Sequence, residues 1–94
     1  MTKSELAEEL AKRNGIPPSV ADHLVKTIFD SMTDTLVTDG RIEIRGFGSF
    51  ENREYDGYTG RNPKTGELVT IKPKKTPFFK VGKELKERIM ESVG

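Results

Sequence analysis

Between Arg53 and Lys75 the chain alternates as a β-hairpin does, yet it carries few large apolar side chains. Such a segment has little to bury against the core of a 94-residue chain, so it must project from it. At its centre, Gly60-Arg61-Asn62-Pro63-Lys64-Thr65-Gly66 has the composition of a hairpin tip. A proline there has no N–H to give to sheet pairing, but it is a rigid apolar ring, here set between Arg61 and Lys64. A two-stranded ribbon alone is marginal in water. An arm of this kind is best explained by something outside the chain for it to grip.

The flanking sequence builds a body. Thr2 with Glu5 three residues later forms a capping-box pattern, and Leu6, Ala7, Leu10 and Ala11 fall at helical spacing, so a first helix is predicted over 3–14, ended by Asn14-Gly15. Pro18 suits the first turn of a second helix over 18–38, whose apolar face runs from Val20 to Leu36. That face is wider than one short helix needs to cover. At Asp39-Gly40 the period changes. In Arg41-Ile42-Glu43-Ile44-Arg45 the isoleucines point one way and the charges the other, Gly46-Phe47-Gly48 turns, and a second strand runs from Phe50 towards Tyr55. After the tip, Glu67 to Lys72 alternates again. Pro73 and Pro77 bracket Lys74-Lys75-Thr76, and Phe78 to Val81 reads as a short third core strand. A last helix is predicted over 83–92, with Leu85 and Ile89 four apart. The class is α+β in one domain spanning 1–94. A helical body over 1–40 is followed by a three-stranded antiparallel sheet with a long β-ribbon arm over 41–81, and a C-terminal helix over 82–94.

Composition limits what such a chain can be. Hydrophobic and charged residues each make up 33%, which supports only a small core and favours a subunit that completes its core with a partner. The absence of cysteine removes disulfides and thiolate metal sites and fits a reducing cytosol. No apolar run approaches the ~20 residues of a membrane span, and the N-terminus, starting a helix at once, resembles no signal peptide. Net charge is only +1, but it is unevenly placed. Residues 1–40 hold four basic and seven acidic side chains, residues 41–83 ten basic and five acidic, and residues 84–94 two basic and three acidic. The positive charge gathers where the strands and the tip lie. A sheet edge guarded by lysines has the same charge pattern, so charge alone does not decide the partner.

The tip does more. An apolar wedge flanked by cations suits insertion between stacked base pairs, with the cations held by phosphates or the minor groove. A nucleotide-binding loop fails on register, because position 65 is threonine where a second glycine is needed. No catalytic triad, carboxylate pair or metal cluster is evident, so neither an enzyme nor a metal, cofactor or small-molecule substrate is expected. A dimer whose arms hold another protein is the competing class. Salt separates the two, since DNA binding weakens steeply with it.

Thr2-Lys3-Ser4-Glu5-Leu6, Gly46-Phe47-Gly48-Ser49-Phe50, the Gly60-to-Gly66 tip, and Phe79-Lys80 before Gly82-Lys83-Glu84-Leu85 together resemble the HU/integration host factor family of bacterial nucleoid proteins. The resemblance spans essentially the whole chain. Within the family, Arg41 to Arg45 is similar to the host-factor beta-subunit branch; typical HU chains have no arginine just before the Gly-Phe-Gly turn. The resemblance implies an intertwined dimer, either a homodimer or a heterodimer with a related subunit. Its two ribbon arms would wrap double-stranded DNA through the minor groove in the cytoplasmic nucleoid of a bacterium. An HU-like homodimer with little sequence preference is the alternative within that family.

On this reading Pro63 is the intercalating wedge, although a plain turn proline would occupy the same place. Arg61, Asn62 and Lys64 flank it in the minor groove. Arg41 and Arg45 lie on the strand face opposite Ile42 and Ile44, where DNA would lie. An arginine at position 45 implies added sequence preference; the bland alternative is an exposed ladder with Glu43. Lys3 and Ser4 begin the first helix, and Lys83 and Lys86 the last, where free N–H groups attract phosphate. Arg53, Lys72, Lys74, Lys75 and Lys80 are candidate phosphate contacts, each also explicable as a solubilising side chain. Phe29, Phe47, Phe50 and Phe79 are assigned to the dimer core rather than to base stacking, and His23 to the surface or interface. Glu54, Tyr55, Asp56, Gly57 and Tyr58 depart from the basic residues the family often carries along the arm. Those acids would weaken the grip of the outer arm or face away from phosphate.

Overall fold

The Thr2 hydroxyl accepts the Glu5 N–H at 3.1 Å and starts α1, Lys3–Asn14. Gly15 closes it, its N–H donating to the Ala11 carbonyl. Pro18 then opens α2, Pro18–Val37, at a position whose N–H would have no helical partner. The two helices meet through small residues: Ala7 and Ala11 are buried with Ala21 and Val25, while Leu6, Leu10 and Ile16 pack partly against them. Short side chains bring the helices close but bury little area. Val20, Leu24, Ile28 and Phe29 of α2 stay exposed.

The computed structural model describes residues 1–93. The helical hairpin, Met1–Thr38, is one compact unit, and a second begins at Asp39. In the second unit β1 (Ile42–Ile44), β2 (Gly48–Tyr55) and β5 (Lys74–Val81) form an antiparallel sheet in the order β1-β2-β5, while β3 (Tyr58–Arg61) and β4 (Leu68–Ile71) pair only with each other. α3, Lys83–Glu91, follows. Its start is tied to the turn between β1 and β2, where the Gly82 N–H donates to the Phe47 carbonyl at 2.8 Å.

One register runs down the whole hairpin. Gly48 faces Val81, Tyr55 faces Lys74, Tyr58 faces Ile71 and Arg61 faces Leu68. The arm therefore inserts no extra residue, yet its ladder lapses where Asp56-Gly57 lies opposite Lys72-Pro73. Pro73 has no N–H to donate there. A Cβ on Gly57 would lie 2.6 Å from the Ile71 carbonyl oxygen and 2.8 Å from Pro73 Cδ, so only glycine lets the strands approach so closely.

Two elements differ from the sequence expectation. The third core strand is twice the anticipated length, because β5 runs through Pro77. β5 is an edge strand, so the missing N–H of Pro77 can face outward without breaking the pairing to β2. Arg45 lies not in a strand but in a turn, in which the Phe47 N–H donates to the Ile44 carbonyl at 2.9 Å.

Register also sorts the faces of the sheet. Ile42, Phe50 and Phe79 share one face, and Phe79 packs on Phe50 and Phe47 with ring centroids 4.8 and 5.5 Å apart. That cluster is incomplete: Phe47 remains 44% exposed and Phe79 38%. Among the described residues no large side chain is fully buried.

Candidate nucleic-acid interface

The tip is built from its own atoms. The Asn62 N–H donates to the Glu67 carbonyl at 2.8 Å, and the Gly66 N–H returns to the Asn62 carbonyl at 2.7 Å. The Asn62 side chain accepts the Lys64 N–H at 2.9 Å, an Asx turn that fixes the path around Pro63. Gly66 holds φ 73°, in the left-handed region that a side chain disfavours. Arg61 Nη1 donates to the Gly66 carbonyl at 3.1 Å and so spans the base of the loop. These bonds leave the Pro63 ring exposed at the end of the ribbon, with Lys64 beside it making no ion pair among the described residues.

The second group of candidates lies on the polar face of the three-stranded sheet. Arg41, Glu43, Arg45, Ser49 and Lys80 line one open depression of about 270 Å³. Ser49 is buried and faces Lys80 across the β2–β5 ladder. Arg41 Nη1 lies 3.3 Å from Glu51 Oε2, an exposed pair worth little to stability. Glu51, Arg53 and Tyr55 continue along this face of β2, opposite Phe78, Thr76 and Lys74 of β5. The Arg53 guanidinium stacks over the Phe78 ring at 3.3 Å from its centroid, and Lys74 Nζ stands 5.7 Å from the Tyr55 ring. Arg41, Arg45, Lys80, Arg53 and Lys74 thus form one file of cations, continued by the exposed Lys72 at the lapse in the ladder.

Lys75 belongs to the other face and is engaged there. Its ammonium lies 2.5 Å from Asp39 Oδ1, which also accepts Asn52 Nδ2 at 3.2 Å. The Lys75 bond, then that of Asn52, holds the Asp39 carboxyl below its ordinary pKa. Asp39 has φ 62°, so this contact anchors the residue that opens the second unit to the base of the arm. Glu54 stands across from Lys75 in the register and shares that side, away from the file of cations.

The helix starts are occupied differently. Lys3 and Ser4 line a depression of about 180 Å³ with Asp22 and Lys26 at the beginning of α1. At α3, Gly82 supplies no side-chain cap, which leaves the first-turn N–H groups open. Lys83 lies 3.9 Å from Glu87, and Lys86 is exposed. Phe29 lies on α2, 37% exposed, and His23 is exposed on the same helix.

Sequence reasoning passed over Phe78, Glu51 and Asp39. Each acts through a partner well separated from it in the chain, and only the folded register reveals the pairing. The alternation of β2 carried part of that signal, since Glu51 and Arg53 fall two apart and must share a face.

Comparison with known proteins points one way. The model of a family described as bacterial DNA-binding proteins matches residues 1–90. The chain is 52% identical over 97 residues to integration host factor subunit beta of Herminiimonas arsenicoxydans, covering all of this chain and 94% of that protein. It is 50% identical over 90 residues to the same subunit of Mannheimia haemolytica, covering 95% of this chain and 97% of the other. Among solved structures it resembles the HU of an Anabaena HU–DNA cocrystal, with a TM-score of 0.81, 31% identity and coverage of 95% and 97% of the two chains. It also resembles HU from Thermotoga maritima, with a TM-score of 0.65, 29% identity and coverage of 95% and 98%.

Proposed function

Because this chain belongs to the family of bacterial DNA-binding proteins, we propose that it is an architectural protein that bends duplex DNA from the minor groove. The observation that carries this reading is the tip: an exposed proline ring on a loop fixed by its own hydrogen bonds, at the end of a ribbon that pairs with no third strand. Pushed into a base step, such a ring unstacks it without having to be ordered first. Arg61 and Lys64 meet the phosphates or groove walls on either side, and Asn62 shapes the loop.

The protein works as a dimer with double-stranded DNA. The exposed apolar face of α2, with Val20, Leu24 and Ile28, and the half-open Phe47–Phe50–Phe79 cluster need a second chain, the same or a related subunit, to cover them. Phe29 joins that buried set. The file of cations on the polar sheet face receives the phosphate backbone, and Arg41 and Arg45 add a host-factor-like sequence preference. Lys3, Ser4, Lys83 and Lys86 hold phosphates at helix starts. Its relatives are DNA-binding proteins rather than enzymes, and the chain acts in the bacterial nucleoid without catalysis of its own.

The test is the bend. A duplex labelled at both ends should shorten its end-to-end distance by FRET when the protein binds. Pro63→Ala should relax the bend while the salt dependence of binding, which counts phosphate contacts, changes little. An unchanged FRET distance in the variant would remove the wedge from the mechanism.

A further inference from the structure

Arg53 has an acidic neighbour that it does not use. Glu51 lies two residues away on the same face of β2, within reach of a long side chain. Instead, Glu51 takes Arg41 from beside the adjacent strand at 3.3 Å, and Arg53 lies flat on Phe78. Phe78 stands directly across from Glu51 in the register, diagonal to Arg53, so the stacked guanidinium is drawn towards β5 while Glu51 pairs on the β1 side of β2. Among the described residues the Arg53 side chain makes no hydrogen bond or ion pair.

A guanidinium stacked on a ring uses its flat face. Its N–H groups point outward in the plane and stay free for a planar or tetrahedral anion. Lysine at position 53 would offer a point charge without that geometry. Arg53 also extends the line of Arg41 and Lys80 along the polar face, towards Lys74. The ring therefore does two things: it orders a flexible cation before any anion arrives, and it denies that cation to the chain's own acid.

We propose that Phe78 is a positioning residue whose ring, stacked on Arg53 and opposite Glu51, keeps the guanidinium free for a DNA phosphate. This rests on the DNA-bending reading above and deepens it. Without the ring, Arg53 folds back onto Glu51, and one phosphate contact becomes an internal ion pair.

Salt titration of the full-length dimer on a random-sequence duplex tests this. Phe78→Leu keeps apolar volume and loses the ring. It should flatten the slope of log affinity against log salt by about 0.9 per altered chain, the value of one lost phosphate contact. Arg53→Ala should do the same, and the double variant no more than either alone. Phe78→Tyr should keep the wild-type slope. In a Glu51→Gln background Phe78→Leu should leave the slope unchanged, a rescue that a merely structural role for the ring would not produce. Two results would overturn the proposal: a wild-type slope for Phe78→Leu, or a loss of slope that is the same with and without the Glu51→Gln change. A wild-type dimer whose binding ignores salt would instead sink the DNA-bending reading itself, so the two failures are distinguishable.

Discussion

Arg45 follows β1 by one residue, and its backbone is set by the turn that ends at Phe47. Alternation alone assigns it to a strand face; the turn gives it the same side by another route, since it lines the depression shared by Arg41 and Lys80. If this face receives phosphate as proposed, an arginine at its rim is placed to favour some base sequences over others. Replacing it with alanine should narrow the affinity ratio between a selected duplex and a random one by roughly fivefold or more. Competition binding with the two duplexes measures that ratio. If it does not move, Arg45 contributes charge and no preference.

At the scale of elements, the arm is held by its two strands and by nothing else in the sheet. β3 and β4 pair only with each other, every side chain of β4 is exposed, and the ladder lapses at Pro73. Amide exchange in the free dimer should therefore be fast over 58–71 and slow in β2 near Gly48 and Ser49, with DNA slowing the arm selectively. Slow exchange in the free arm would mean that it docks on something within the protein. Much of this arrangement was legible in the sequence. α1 starts and stops where Thr2 and Gly15 signal, because capping is decided by neighbouring residues. The projecting ribbon was legible from what it lacks, a set of apolar side chains to bury. The passage of β5 through Pro77 was not, because it depends on β5 lying at an edge, which no local signal encodes. The Lys75–Asp39 and Arg53–Phe78 contacts were hidden for a related reason: they join residues far apart in the chain and exist only in one register.

For the whole molecule, the shortage of buried area is the governing fact. Four small or medium side chains form the only fully apolar buried cluster among the described residues, while Ile28, Phe47 and Val37 remain open to solvent. Folding and pairing should then be one event, and the thermal midpoint should rise as the protein concentration is raised. A midpoint independent of concentration would mean that one chain closes its own core. The unbroken register of the arm has a consequence of another kind. Adding a residue to one strand alone would turn every later side chain over and carry the proline to the wrong side. Descendants of this chain can lengthen their reach only by compensated insertions on both strands, gaining about 3.3 Å for each matched pair.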